Sequence, residues 1–329
     1  MKVVVTGGGG FLGSHLISAL LEQGHTVTTL CRGRYPALEA KGVRIVQGDI
    51  ADVNVVRDAI NNAEYVFHVA AKAGHWGKYK DFYQTNVVGT KNIIEACMNA
   101  GVKRLIHTSS PSVVMNNINI HNGDESLPYP NRYASHYQKT KAMAEKLVLN
   151  ANGVNGLETV AIRPHLILGP GDNNLLPKLI EKSRRGELVQ IGDGENRVSV
   201  CYVDHAVQAH LLAMHAPSAV GKAYFINETE PVNLWGWLNS MLVRIGAEPI
   251  KKKISYPVAY GLGAVLECVY RLYPSLGEPS ITRFLAAELS KHHYFCVDNA
   301  KKDLGFESTI PWNECEDKII EFYKDAQSN

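Results

Sequence analysis

Lys2-Val3-Val4-Val5-Thr6-Gly7-Gly8-Gly9-Gly10-Phe11-Leu12-Gly13 opens the chain with an apolar, β-branched run that passes straight into a glycine cluster. A helical stripe follows at once: Leu12, Leu16, Ile17, Leu20 and Leu21 recur on one face, and Gly24 closes it as a C-cap. Gly7, Gly10 and Gly13 have the spacing G-x-x-G-x-x-G at the strand-to-helix junction. Glycines there let the backbone turn tightly and approach a pyrophosphate resting on the helix N-terminus, with Phe11 and Leu12 beside it. Working outward, Thr26–Leu30, Val43–Val46, Glu64–Val69, Arg104–Thr108 and Thr159–Arg163 are further short apolar runs. Asp52 is an N-cap for a helix over 53–60, and longer helical patterns cover Phe82–Asn99 and Tyr137–Leu149. Strands without polar alternation, separated by helices, predict an α/β fold with a doubly wound parallel sheet.

After Pro164 the pattern is mixed. Helices are expected over Leu175–Arg185, Asp204–Ala216, Leu234–Ile245, Pro257–Tyr273 and Asn313–Tyr323, with strands at Leu188–Ile191, Ser199–Tyr202 and Ala223–Ile226. There is no repeat and no low-complexity linker. The expected organisation is a nucleotide-binding domain over 1–165 with a return segment at about 203–226. Residues 166–202 and 227–329 then form a smaller, interleaved substrate-binding region.

A chain of 329 residues with 45% apolar and 20% charged residues has ordinary globular composition. A net charge of +2 gives no electrostatic reason for a nucleic-acid partner. The six cysteines are scattered, without metal-ligand or C-x-x-C spacing, and the histidines show no H-x-x-x-H pattern, so no metal is expected. Reduced cysteines, and a strand that begins at Met1-Lys2 without a leader pattern, lead to the expectation of a cytoplasmic protein. Tyr256–Tyr273 is strongly apolar but interrupted by Glu267 and Arg271. It is expected to line an apolar channel, to pack in the core or to rest against a membrane surface.

The end of the second strand carries no Asp or Glu to hold a ribose 2′-hydroxyl; Arg32 and Arg34 stand there instead. Two arginines suit a 2′-phosphate, which predicts NADP(H) rather than NAD(H). Asp49 and Ile50 at the end of the third strand, and Ala70, Ala71 and Lys72 at the end of the fourth, are expected cofactor neighbours. Tyr137-Gln138-Lys139-Thr140-Lys141 sets a phenol and an ammonium four residues apart, one helical turn, on one face. A cation held beside a tyrosine lowers its pKa from about 10 towards the working range of an acid/base catalyst.

Together these residues resemble the extended short-chain dehydrogenase/reductase family. The likeness is carried by Thr6 to Gly13, by Asn86 within Thr85-Asn86-Val87-Val88-Gly89-Thr90, and by Thr108-Ser109-Ser110. Tyr137 with Lys141, Arg163-Pro164, Gly169-Pro170-Gly171-Asp172 and Tyr202-Val203-Asp204 extend it over nearly the whole chain. The resemblance implies a Rossmann domain and hydride transfer with a nicotinamide cofactor. Ser110 corresponds to the catalytic serine, with Ser109 as the alternative. Tyr137 supplies the proton, Lys141 lowers the Tyr137 pKa and binds the nicotinamide ribose, and Asn86 and Pro164 join the cofactor site. A homodimer through the two long helices is implied as well.

The likeness is narrowest with the 3β-hydroxysteroid dehydrogenase-like branch. Ala70-Ala71-Lys72-Ala73-Gly74-His75-Trp76-Gly77, the segment 108–113, Gly277-Glu278-Pro279 and Thr282-Arg283-Phe284 carry it. Within that branch the resemblance points to reduction of the ketone of long-chain 2-alkyl-3-oxoalkanoic acids in olefin biosynthesis, alongside other enzymes of that pathway. His75, Trp76 and Arg197 are the candidate substrate residues, Arg197 for the carboxylate. A hydroxysteroid dehydrogenase, a nucleotide-sugar epimerase or dehydratase, and a non-catalytic NADP-binding sensor are the rival readings. Pro111-Ser112-Val113-Val114-Met115 lacks the extra acids of a dehydratase, and the intact Tyr137 and Lys141 argue against a sensor.

Overall fold

The computed structural model describes residues 1–173 and 175–328. Its centre is a seven-stranded parallel sheet in the spatial order Ala223–Ile226, Glu158–Pro164, Arg104–Thr108, Tyr65–His68, Lys2–Thr6, Thr26–Cys31 and Arg44–Gln47. The strands are buried on both sides, which is why they read as unbroken apolar runs. Helices Phe11–Glu22 and Val203–His215 pack together on one face. Helices Val53–Ile60, Thr90–Ala100 and His136–Asn150 cover the other, where Asp52 caps the first of them through Asn54 and Val55. Strand order reverses between Lys2–Thr6 and Tyr65–His68, and ligands of such sheets bind in the crevice outside that switch point. The last strand, Ala223–Ile226, returns to the sheet after the excursion that follows Pro164.

Outside the main sheet, Val232–Asn233, Arg197–Val198, His293–Phe295 and Ile120–Gly123 form a four-stranded sheet. The expected strand over Ser199–Tyr202 is instead divided. Arg197–Val198 joins this sheet, while Cys201–Tyr202 pairs with Ile167–Leu168. The helix expected over Phe82–Asn99 is also interrupted: Tyr79–Tyr83 and Thr90–Ala100 are α-helical, and Gln84–Gly89 between them is a π-turn. Helix Tyr256–Leu272 buries Ala259, Gly263 and Glu267 against the segment that starts helix Arg283–Glu288. Its remaining apolar stripe, Val258, Leu262, Val265 and Leu272, faces solvent, so these side chains line no internal channel. Among the described residues no helix is long and apolar enough to cross a membrane.

Candidate active site

The glycine loop is built to take a phosphate backbone. Gly7 adopts φ +74°, a left-handed conformation that glycine tolerates without strain, and its Cα lies against Ala70. A Cβ on Gly13 would meet the Gly7 carbonyl oxygen at 2.3 Å. Helix Phe11–Glu22 starts at Gly10 without a side-chain cap, so its first amides are left for an anionic ligand. Arg32 and Arg34 are exposed at the end of the second strand and make no ion pair among the described residues. Asp49 is exposed in a turn that accepts from the Ala51 amide, and Ile50 is buried under Gly89. These groups fit a nicotinamide dinucleotide stretched along the C-terminal edge of the sheet.

Asn86 sits inside the π-turn and is nearly sealed from solvent. Its side chain accepts from the Lys72 amide at 2.7 Å and donates to the Lys72 carbonyl and to Thr140 Oγ1, both at 3.0 Å. Both its N–H donors and one lone pair of its oxygen are engaged with protein, and it clamps the loop after strand Tyr65–His68 to helix His136–Asn150. A π-turn at such a point is a common device of functional sites.

Helix His136–Asn150 begins with a capping box formed by Ser135 and Gln138, whose amide also reaches the Met115 carbonyl. That anchoring sets Tyr137 and Lys141 over the end of strand Arg104–Thr108. The Tyr137 phenol lies within side-chain hydrogen-bonding reach of Ser110, which itself caps the short turn Pro111–Val113. Ser109 is buried and turned towards Glu145, so Ser110 is the serine that faces the tyrosine.

Lys141 is fixed from the end of strand Arg104–Thr108. Its Nζ donates to the Thr108 carbonyl at 2.6 Å and lies 3.5 Å from His107 Nε2. Burial lowers its pKa to about 8, opposed by Glu145. Burial raises the Tyr137 phenol, the Ser110 hydroxyl pulls it down and a carboxyl at Glu288 pushes it up further. Tyr137 is thus a protonated phenol, ready to give its proton away.

Below them Glu145 and Arg163 form a buried two-pronged pair at 2.7 and 2.8 Å, and Tyr129 donates to Glu145 at 2.6 Å. Burial works against the Glu145 charge, but the Arg163 hydrogen bonds win and hold the carboxyl below its usual range. Glu145 was open to the same four-residue arithmetic that links Tyr137 to Lys141. Glu288, His165 and His293 also gather here, but they come from distant segments and carried no local signal.

Loop 72–77 lies beyond the C-terminal end of strand Tyr65–His68. Lys72 Nζ sits over the Phe82 ring at 5.3 Å, and His75 packs against Pro279. Trp76 receives the Arg271 guanidinium at 5.8 Å. The structure therefore joins the loop to the last turn of helix Tyr256–Leu272 and to the segment after it. Pro164 ends its strand beside Ile226, and His165 follows it. Arg197 makes no contact with the Ser110–Tyr137–Lys141 cluster; it is exposed, stacked over Tyr294 at 5.5 Å.

A phenol, a hydroxyl beside it and a glycine-built cradle at one sheet edge are the parts that hydride transfer at a carbonyl carbon requires. The model of the 3-beta hydroxysteroid dehydrogenase/isomerase family matches residues 4–258. A 2-alkyl-3-oxoalkanoate reductase of Stenotrophomonas maltophilia is 44% identical over 312 residues, 93% of this chain and 94% of that protein. A decarboxylating sterol-4-alpha-carboxylate 3-dehydrogenase of Mus musculus is 34% identical over 330 residues, 98% of this chain and 91% of that one. Among solved structures, MoeE5 in complex with UDP-glucose and NAD superposes with a TM-score of 0.78 at 26% identity, covering 99% of this chain and all of that one.

Proposed function

The chain belongs to the 3-beta hydroxysteroid dehydrogenase/isomerase family, oxidoreductases of hydroxyl and ketone groups that use a nicotinamide cofactor, and on that premise we propose that it reduces the ketone of 2-alkyl-3-oxoalkanoic acids with NADPH. The observation that carries the reading is the 44% identity to a reductase of that name across 93% of the chain. The name of the sterol-carboxylate relative describes the same chemistry in outline, an oxygen on the carbon β to a carboxylate. Both lead to a β-oxy acid as the substrate class.

The bound nicotinamide supplies the hydride. The chain's own part is to hold the ketone oxygen between Ser110 and Tyr137 and to pass it the Tyr137 proton. A phenol kept protonated by burial serves this reductive direction. Lys141, fixed by the Thr108 carbonyl, is placed to bind the nicotinamide ribose. Arg32 and Arg34 receive the 2′-phosphate, which sets the preference for NADPH. Loop 72–77, pinned at Trp76 and His75, shields the reacting atoms from water. The exposed stripe of Val258, Leu262 and Val265, with Lys251 to Lys253 at its foot, supplies a surface for a lipid phase that holds such a substrate.

Purified protein is offered NADPH with 2-alkyl-3-oxo acids, 3-oxosteroids and nucleotide sugars. The reverse reaction is run with NADP⁺ and the chemically stable 2-alkyl-3-hydroxy acid. Loss of nicotinamide absorbance with the keto acid is the expected result. Turnover confined to steroids or nucleotide sugars rejects the substrate, and tighter binding of NADH than of NADPH rejects the role of the arginines.

A further inference from the structure

The glycine run holds two residues that the spacing of Gly7, Gly10 and Gly13 does not account for. Neither Gly8 nor Gly9 has a positive φ, so the backbone at both would accept a side chain. Space is what forbids one. A Cβ on Gly8 would meet Thr29 Oγ1 and Ile17 Cδ1 in the core. That hydroxyl is fixed, since it accepts from the Gly8 amide at 3.1 Å and donates to the Val5 carbonyl at 2.8 Å. A Cβ on Gly9 points the other way and would meet Tyr35 Cζ at 1.9 Å, with both neighbouring ring carbons within 2.4 Å. Gly9 is bare because the hydroxyl-bearing end of the Tyr35 ring rests on it.

Tyr35 is held there by its own segment. Pro36 bars a helical conformation at residue 35, where φ is −134°. The Tyr35 carbonyl accepts from the Leu38 and Glu39 amides at 2.9 and 3.3 Å. The turn before it is tied to the third strand: Gln47 Nε2 donates to the Arg32 carbonyl, and the Gly48 amide to the Cys31 carbonyl, both at 3.0 Å. A Cβ on Gly33 would lie 3.1 Å from the Tyr35 hydroxyl. The phenol oxygen therefore stands beside the residue between Arg32 and Arg34, both exposed, and makes no hydrogen bond among the described residues. One half-buried side chain thus spans the glycine loop and the end of the second strand. Those are the two places where a sheet of this kind meets the pyrophosphate and the ribose 2′ group of a dinucleotide.

Resting on the reading of the cofactor as NADPH, we propose that Tyr35 is a determinant of that preference, its hydroxyl donating to the 2′-phosphate between the two arginines. An O–H bond to a phosphate oxygen is charge-assisted and stronger than one to the neutral ribose hydroxyl that NADH carries there. The hydroxyl therefore separates the two cofactors, while the ring, laid on Gly9, serves both. Arg32 and Arg34 are long exposed chains that lose rotamer freedom when they bind. Tyr35 loses little, because Gly9 and the turn before Pro36 already hold it in place. The four consecutive glycines are thus matched to a tyrosine some 25 residues on, and Gly9 is there to admit it.

The test measures Kd for NADPH and NADH by fluorescence titration on wild type, Tyr35→Phe, Gly9→Ala and the double variant. Tyr35→Phe keeps the ring on Gly9 and removes only the hydroxyl. It is expected to weaken NADPH about tenfold, the worth of a hydrogen bond to a charged group, and to leave NADH unchanged. Adenosine 2′,5′-bisphosphate, which carries the 2′-phosphate without the nicotinamide, should lose the same factor in competition. Gly9→Ala drives the ring off the loop, so it should lower the NADPH-to-NADH preference by a similar factor, and no further once Tyr35 is Phe. A wild type that binds NADH more tightly than NADPH overturns the cofactor reading and the inference with it. A wild type that prefers NADPH, with Tyr35→Phe losing equally on both cofactors or on neither, overturns the inference alone. So does a Gly9→Ala effect on the preference that adds in full to that of Tyr35→Phe.

Discussion

Tyr137 and Lys141 sit one helical turn apart but are held by different partners, Ser110 and the Thr108 carbonyl. The four-residue interval placed both on one helical face, and that much is local and legible in sequence. What the interval does not contain is the Thr108 carbonyl, contributed by a strand some thirty residues earlier, which takes the Lys141 ammonium at 2.6 Å. Burial is the largest influence on the Tyr137 phenol and raises it. Reduction of a ketone needs an acid, and a phenol held in its protonated form is one. Tyr137→Phe removes the transferable proton and leaves the ring packing intact. Its kcat for keto-acid reduction is expected to fall by about 10²–10⁴-fold, the span for a positioned acid, with NADPH affinity unchanged by fluorescence titration. Undiminished turnover would show that the proton comes from elsewhere.

The elements around the site are held by a few long-range polar ties, and these mark the limit of sequence reading. The parallel strands were legible because each is a local apolar run. The four-stranded sheet was not, since it is assembled from pieces as short as Arg197–Val198 and His293–Phe295 that pair across the chain. The break in the Phe82–Asn99 helix was hidden for a related reason: Asn86 makes its hydrogen bonds with Lys72 and Thr140, outside the helix. One such tie is the Arg163–Glu145 pair, which fastens helix His136–Asn150 to strand Glu158–Pro164 with both side chains almost fully buried. Breaking such a pair strands a charge in a low-dielectric interior. Arg163→Met is expected to cost about 3–5 kcal/mol, seen as a lower urea midpoint. Replacing Glu145 by Met in the same chain removes the stranded charge and should recover part of that loss. A double variant as unstable as the sum of the two single ones would contradict this account.

Across the whole molecule, buried imidazoles act as struts between layers. His68 bridges Thr6 and Thr90, His210 bonds Thr108 to helix Val203–His215, and His293 links the small sheet to His165. Burial lowers His68 to about 3 and both His210 and His293 to about 4, while His107 and His165 also fall well below the usual range. An unfolded histidine takes up a proton near pH 6.5, which these folded ones refuse. Their contribution is complete above that pH and is lost as pH falls towards the folded values, at about 1.4 kcal/mol per unit for each ring. Glu288 acts with the opposite sign. Its folded pKa, about 8, lies above the unfolded value, so its contribution is complete at low pH and is lost as pH rises from about 4.5 through 8. Below pH 6.5 several histidines outweigh one carboxyl and stability climbs with pH. Between about 6.5 and 8 the histidines no longer change and Glu288 bends the curve down; above about 8 Lys141, whose folded pKa lies below its unfolded value, lifts it again. Urea midpoints measured from pH 4.5 to 8 should therefore rise to a maximum near 6.5 and then sag. In Glu288→Gln the acid limb should be kept and the sag should disappear; a sag that persists in this variant would show that the Glu288 carboxyl is already ionised at neutral pH.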